Sequence, residues 1–258
     1  MSKKQSKAEK TAASQRAAQR AAAIRKEQEA KERRRRTFVI SGVVLVVFVV
    51  ILGIGYLVQS NKDTTGAAAT TPAGVVDGYA VPIGKASAPS TVTVYEDFMC
   101  PFCGQFEAAS RGPLQKYVDS GDVLMKYRVV SFLDGSSTTK YSTRAANAWA
   151  AVVNDSGPDV AKKFHDLLYE NQPQEGSAGL SDAQLLDYAV QAGANRANVK
   201  KAIDTGQFNQ WVTNATGAFS KAGFNSTPTV LFNGAKLTAQ DIPGMVAELE
   251  TKIKAAAG

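Results

Sequence analysis

Residues 90–103 decide the fold, and their sequence is Ser-Thr-Val-Thr-Val-Tyr-Glu-Asp-Phe-Met-Cys-Pro-Phe-Cys. The β-branched and aromatic side chains of Ser90–Glu96 predict a strand. A helix is predicted from Cys100 to about Ser120, because Pro101 fits a first helical turn, where a missing N–H leaves nothing unsatisfied. The strand therefore gives way to a helix at Cys100 and Cys103, the only two cysteines in the chain.

The spacing of Cys100 and Cys103 favours redox chemistry. Residues three apart on a first helical turn project to the same side, at a separation that a disulfide permits. Cys100 would lie over the free N–H groups of that turn, whose partial positive charge favours the thiolate. A thiolate is the better nucleophile and leaving group, so the pattern predicts a reactive Cys100.

Three other interpretations of the two cysteines are a static bridge, half of a metal site and a pair of inert core thiols. A bridge across so short a loop would restrain the unfolded chain little. The chain has two cysteines and one histidine, too few for a four-ligand structural zinc site. Inert thiols would not be expected to flank a proline at a helix start. We therefore expect redox activity, with no metal and no cofactor.

The net charge of +7 lies in the N-terminal part of the chain. Residues 1–36 contain 13 Lys or Arg and four Asp or Glu, which leaves 17 basic and 19 acidic residues in 37–258. A nearly neutral remainder offers no electrostatic footprint for nucleic acid. The basic run 1–36 predicts a cytoplasmic tail, either solvated or adhering to anionic lipid headgroups.

Residues 37–58 form a run of 22 residues without a charge, long enough to cross a bilayer as one transmembrane helix. This run exceeds the apolar core of a cleaved signal peptide, so an uncleaved anchor is favoured. The arginines that precede it keep the N-terminus in the cytoplasm and place the rest of the chain outside the cell membrane. Residues 59–78 are small and polar and predict a flexible linker.

The remaining residues, 79–258, suit one domain of the α/β class. Further strands are predicted at Val123–Val130, at Thr229–Phe232 and briefly near Lys236, with a last helix from near Asp241. Apolar stripes at helical spacing fill the region between the second and third strands, and Trp149 and Trp211 lie on such stripes and predict core positions. The order is β-α-β, a helical block, then β-β-α.

The segment Val92–Cys103 resembles the active-site segment of DsbA-like thiol–disulfide oxidoreductases, which have a thioredoxin-like fold with a helical insertion. Residues 164–173 resemble a helix of the family's inserted domain, and 223–230 resemble its cis-proline loop. The similarity extends over nearly all of 79–258 and points to membrane-tethered members. It implies an all-helical insertion at 133–226, which would cap the active site.

The resemblance also implies roles for individual residues. Cys100 would be the attacking cysteine and Cys103 the resolving one, within a motif completed by Pro101 and Phe102. The Thr227–Pro228 bond would be cis, beside the disulfide, where the backbone of Thr227 would pair with an extended substrate. The sequence alone leaves open the alternative that Pro228 is a trans proline that starts a strand.

Family members often keep a buried acid six residues before the first cysteine, but that position is Val94 here. Glu96 shares the face of Val94 by strand alternation, and Asp97 matches a common acid of the family, so both are candidates for a proton relay. Two solvated acids at a strand end are the slightly favoured alternative. His165, the single histidine, is expected on a helix surface.

The expected function is a membrane-tethered oxidase that donates the Cys100–Cys103 disulfide to secreted or membrane proteins with free thiols. A membrane partner would reoxidise it, since the chain has no third cysteine. The alternatives are a reductase or isomerase of the same fold, or a tethered peptide-binding module without catalysis.

Overall fold

The structure is a computed structural model that describes residues 64–257, and the predicted tail, the predicted anchor and the first residues of the predicted linker lie outside that range. Five strands and six α-helices occur within it. In chain order they are β1 (Val81–Ile83), β2 (Ser90–Glu96), α1 (Pro101–Ser120), β3 (Val123–Val129), α2 (Tyr141–Glu170), α3 (Asp182–Ala192), α4 (Arg196–Thr205), α5 (Asn209–Lys221), β4 (Thr229–Phe232), β5 (Ala235–Lys236) and α6 (Ile242–Ala257).

The strands form one mixed sheet in the order β1-β3-β2-β4-β5. Strands β2 and β3 are parallel, and every other pair is antiparallel. Tyr95, near the end of β2, is paired with Thr229, the first residue of β4. This register brings the chain that leaves β2 beside the chain that enters β4. Cys100 and Thr227 therefore meet at the end of these two strands.

Helices α2 to α5 form the helical block between β3 and β4, and α2 packs against each of the other three. Helix α2 kinks at Gly157, whose backbone has φ 80° and ψ 177°, just before Pro158. Trp149 and Trp211 are each 1% exposed, which confirms their predicted core positions. Helix α1 packs mainly against α6 and also contacts α2.

The structure confirms the thioredoxin-like α/β fold, including the predicted strands and the helix after the cysteines. The pattern did not reveal β1, whose three residues include Pro82. A proline is tolerated there because β1 lies at the edge of the sheet and pairs only with β3. No helix within 64–257 has the length and apolar character needed to cross a bilayer.

The residues just before the domain contact it through α5. The side chain of Asn214 accepts a hydrogen bond from the Gly66 N–H at 2.7 Å and donates one to the Ala67 carbonyl at 2.8 Å. Gln210 donates to the Thr64 carbonyl at 2.8 Å. The part of the predicted linker from residue 64 onwards is therefore held on the domain, in contrast to the free tether that its composition indicates.

Candidate active site

Cys100 is the N-cap residue of α1, and Pro101 is the first residue of that helix. The Cys100 thiol donates a hydrogen bond to the Thr227 carbonyl at 3.3 Å. A hydrogen bond from the Cys103 thiol, helped by the Thr227 side chain and by the backbone N–H groups of Phe102 and Cys103, lowers the pKa of Cys100 to about 7 against the opposing effect of burial. Near neutral pH, a large share of Cys100 is therefore thiolate.

Cys103 has the opposite environment. It is 0% exposed, one helical turn further into α1. Burial, together with the hydrogen bond to Cys100 and the charge of the Cys100 thiolate, raises the pKa of Cys103 well above its usual value. Both cysteines are reduced in this structure. The two thiols thus have opposite pKa shifts, lowered for Cys100 and raised for Cys103.

Cys100 is 3% exposed and is hydrogen-bonded to Thr227, which forms part of the wall of a cleft of about 490 Å³. The cleft is lined by residues that include Phe102, Thr227, Pro228, Ile242 and Met245. The Thr227–Pro228 peptide bond is cis, as the family resemblance implies. Phe102, inside the CPFC motif, is 60% exposed and presents an apolar ring to the cleft. The cleft can therefore accept an extended, partly apolar chain next to the reactive sulfur.

Asp97 holds the loop that leads into the cysteines. One carboxylate oxygen accepts from the Met99 N–H at 2.8 Å and from the Ser142 hydroxyl at 2.6 Å. The other oxygen accepts from the Leu133 N–H at 2.8 Å. Burial raises the pKa of Asp97 to about 6 in spite of these bonds. Both carboxylate oxygens are thus engaged in shaping the loop.

Gln172, just after α2, also fixes this loop. Its side-chain amide donates to the Cys100 carbonyl at 2.9 Å and to the Phe98 carbonyl at 3.1 Å. Gly104 permits the approach, because a Cβ at that position would lie 2.3 Å from the Gln172 side-chain oxygen. The helical block therefore holds the active-site motif through a direct contact.

Glu96, Glu107 and His165 form a buried cluster behind the cysteines, and we call it the acid–histidine cluster. Glu96 and Glu107 are each 1% exposed, and His165 is 0% exposed. The His165 Nε2 atom and the Glu96 Oε1 atom lie 2.6 Å apart. The expected surface position of His165 was wrong, as was the expectation of two solvated acids at the end of β2.

Burial raises the pKa of Glu107 to about 7, against the attraction of the His165 charge. The negative charges of Glu96 and Glu107 and hydrogen bonds to Asp166 and Glu96 raise the pKa of His165 to about 9, although burial opposes the charged imidazole. Near neutral pH the cluster therefore holds protons that can be exchanged.

The donor atoms of the acid–histidine cluster lie within 4.8 Å of one another, a spacing that a cation could bridge. The direct bond between His165 and Glu96 already occupies the nitrogen and the oxygen that would face such a cation. We therefore assign His165 and Glu96 to a hydrogen-bonded pair with Glu107 beside it, in place of a metal site.

The thioredoxin family model matches residues 77–251, about two thirds of the chain. The chain belongs to the thioredoxin family. Among curated proteins, a segment of the serine/threonine-protein kinase PknE from Mycobacterium tuberculosis is 30% identical over 175 residues. That match covers 65% of this chain but only 31% of the kinase, so the chain spans less than a third of this relative's length.

The matches to solved structures cover a larger share of the matched chains. A disulfide bond oxidoreductase, DsbG, from Mycobacterium tuberculosis matches with a TM-score of 0.61 and 30% identity, over 70% of this chain and 88% of that one. DsbA from the same organism matches with a TM-score of 0.57 and 28% identity, over 69% and 97% of the two chains. The fold is therefore the DsbA-like form of the thioredoxin family.

Sequence reasoning missed the functional placement of Gln172, Glu107 and His165. Two of these left a signal: Glu107 lies four residues after Cys103, on the same helix face, and His165 lies between the apolar neighbours Phe164 and Leu168. Gln172 lies beyond the end of α2, where no periodicity marks a buried position.

Proposed function

We propose that the protein is a membrane-anchored, extracytoplasmic thiol–disulfide oxidoreductase that works as an oxidase. The observation that carries this proposal is the asymmetry of the two sulfurs: Cys100 has a lowered pKa and contacts the cleft wall at Thr227, whereas Cys103 is fully buried and has a raised pKa. This is the arrangement that thiol–disulfide exchange at one defined sulfur requires.

The reaction begins with the oxidised protein. A substrate thiolate attacks Cys100, the Cys100–Cys103 bond breaks, and Cys103 leaves and takes up a proton. A second substrate thiolate then attacks the substrate sulfur of the mixed disulfide, and Cys100 leaves as a thiolate. The substrate gains the disulfide, and the protein retains both electrons as a dithiol.

The lowered pKa of Cys100 supports the oxidase direction in sign only, because a pKa of about 7 is also that of thioredoxin, which works as a reductase, so the reduction potential decides between them. The hydrogen bonds that lower the pKa of Cys100 stabilise the reduced protein, and a stabilised reduced form makes a disulfide more oxidising. Support for the activity also comes from the similarity to the structure described as a disulfide bond oxidoreductase.

The substrates would be secreted or membrane proteins with free thiols, held as extended chains against Thr227 and Phe102. A membrane partner would reoxidise the dithiol, because the chain has only the two cysteines. The uncharged run 37–58 and the basic residues before it support a single-pass anchor with the catalytic domain outside the cell, where disulfides persist.

The test is the equilibrium of the protein with glutathione buffers, read by alkylating the free thiols. An oxidase should have a reduction potential above about −200 mV, whereas a value near the roughly −270 mV of thioredoxin would identify a reductase. Cys100→Ser should abolish disulfide transfer to a reduced unfolded protein, and Cys103→Ser should instead trap a mixed disulfide. Full function of Cys100→Ser would identify a binding module.

The anchor is tested separately in spheroplasts. External protease should digest the domain and spare residues 1–36. A protected domain would contradict the proposed orientation.

A further inference from the structure

The proposed reaction requires Cys103 to exchange a proton although it is buried. This sulfur is fully buried and has a strongly raised pKa, so it must gain a proton whenever it leaves the disulfide and lose one whenever the disulfide forms again. At these moments a substrate or partner chain occupies the cleft beside Cys100. Cys103 therefore needs a proton route that does not pass through the cleft.

Glu107 is placed to exchange that proton. It follows Cys103 by four residues on α1, so the two side chains share one face of the helix, one turn apart. Its Oε2 atom is buried and has no hydrogen-bond partner, and the same holds for the Oε2 atom of Glu96, whose charge contributes to the raised pKa of Cys103. A buried carboxyl oxygen without a partner is costly unless the group carries or shares a proton.

His165 links the interior to the surface through its two ring nitrogens. Its Nε2 atom meets Glu96 Oε1 at 2.6 Å inside the acid–histidine cluster. Its Nδ1 atom lies 3.4 Å from Asp166 Oδ1. The Asp166 side chain is 25% exposed, so a proton that reaches it can pass to water.

We propose that Glu107, His165 and Asp166, with Glu96 as the partner that holds the imidazole, form a proton path between Cys103 and solvent outside the substrate cleft. This inference rests on the proposed function. As the Cys100–Cys103 bond breaks, Cys103 leaves with the electron pair of that bond and takes a proton from the cluster. Asp166 then returns one proton from water, and the reverse steps accompany reoxidation.

The surroundings of the path restrict where the proton can go. Tyr127 and Tyr169 contact the imidazole ring, with centroid separations of 4.6 and 4.9 Å, and burial keeps their pKa values well above the usual one. Both phenols therefore stay protonated and do not compete for the proton. The charged groups that face the path are Lys162, which bonds Asp166, and Arg111, which lies 3.2 Å from it.

The experiment measures how fast the oxidised full-length protein forms its mixed disulfide with glutathione, by rapid acid quench and mass spectrometry, from pH 5 to 9. His165→Gln keeps a hydrogen-bonding side chain but cannot pass a proton from one nitrogen to the other. Asp166→Asn removes the surface end of the path. Glu170→Gln is the matched control, because Glu170 bonds the same Arg111 at 2.7 Å from the same helix but has no bond to His165.

Loss of a proton donor typically costs a factor of 10² to 10⁴, and because water can partly replace the path we expect His165→Gln to be roughly tenfold slower than the wild type at pH 6. The deficit should shrink as pH rises towards 9, where the cluster of the wild type loses its own protons. Asp166→Asn should show the same trend with a smaller deficit, and Glu170→Gln should match the wild type throughout.

Wild-type rates in both path variants, or a deficit that is equal at every pH, would overturn the proposal, since a packing defect has no reason to follow the titration. If His165→Gln does not fold, Asp166→Asn at the surface decides the matter by itself. Failure of the wild type to form any mixed disulfide would instead refute the proposed function, so the two failures are distinguishable.

Discussion

Cys100 and Cys103 have identical side chains, but their surroundings in the CPFC motif differ sharply. On the Cys100 side, hydrogen-bond donors converge on a sulfur that contacts the cleft wall at Thr227, and its pKa falls to about 7. On the Cys103 side, a sealed interior raises the thiol pKa, and the nearby charges belong to a buried cluster of acids and a histidine. Identical side chains three residues apart therefore have opposite acid–base properties.

This contrast shows how one helical turn can separate the reactive sulfur, Cys100, from the sulfur that exchanges a proton, Cys103. The N-terminal N–H groups of α1 act only on the residue above them, because the effect fades within the first turn. Cys103 lies within the turn and is governed by desolvation instead. The following predictions test this contrast, from the largest expected effect to the smallest.

The rates of alkylation should differ most. At pH 7, iodoacetamide should modify Cys100 of the reduced protein at least roughly a hundredfold faster than Cys103, because only Cys100 is substantially thiolate and only Cys100 is next to the cleft. Peptide mapping of the alkylated protein after timed quenching measures both rates. Similar rates at the two sulfurs would remove the asymmetry on which the proposed function rests.

Glu107→Gln should change how stability depends on pH. The pKa of Glu107 is raised from 4.5 to about 7 in the folded protein, so its stabilising contribution is complete below about pH 4.5 and is lost as pH rises through 7. The Gln variant lacks this loss. Relative to the wild type, its free energy of unfolding should rise by up to about 3 kcal/mol between pH 4.5 and 8.

Urea denaturation at several pH values measures this difference. The gain should stay below its upper limit, because Glu107→Gln also removes a charge that holds the proton on His165. Glu250→Gln is the control, since Glu250 pairs with Lys254 on the surface. A pH-independent difference for Glu107→Gln would show that this carboxyl does not titrate in the folded protein.

Gln172→Ala should loosen the active-site loop. It removes two hydrogen bonds to the loop carbonyls and should lower the free energy of unfolding by about 1–2 kcal/mol. Chemical denaturation measures the stability, and absorbance at 240 nm follows the Cys100 thiolate. Asn171→Ala is the control, because its amide bonds only the Leu167 carbonyl of its own helix. If the two variants had the same free energy of unfolding and the same absorbance at 240 nm, Gln172 would have no role in holding the loop.

Phe102→Ser should have the smallest effect on stability. The ring is 60% exposed, so the free energy of unfolding should change by less than about 0.5 kcal/mol. Capture of an apolar thiol peptide should nevertheless slow several-fold, whereas capture of glutathione should not. Phe132→Ser, at a ring that is 40% exposed outside the lining of the cleft, serves as the control. Unchanged peptide capture would exclude Phe102 from the substrate surface.

The local pattern of the chain already specified the parts that depend on neighbouring residues. Strand β2, the start of α1 and the identity of the reactive cysteine follow from residues 90–103, because propensity, the proline at the first helical position and the helix N-terminus all act over one or two turns. The cores around Trp149 and Trp211 follow from helical periodicity in the same way.

The tertiary structure alone decided the surroundings of Cys103. Glu96, Glu107 and His165 come from β2, α1 and α2, and Gln172 reaches the active-site loop from beyond the end of α2. Each of these residues is polar and, taken by itself, suits a solvated surface. Their burial became favourable only once the fold gave partners to His165, Glu96 and Gln172 and brought Glu107 into the same cluster, and no local pattern records such long-range pairing.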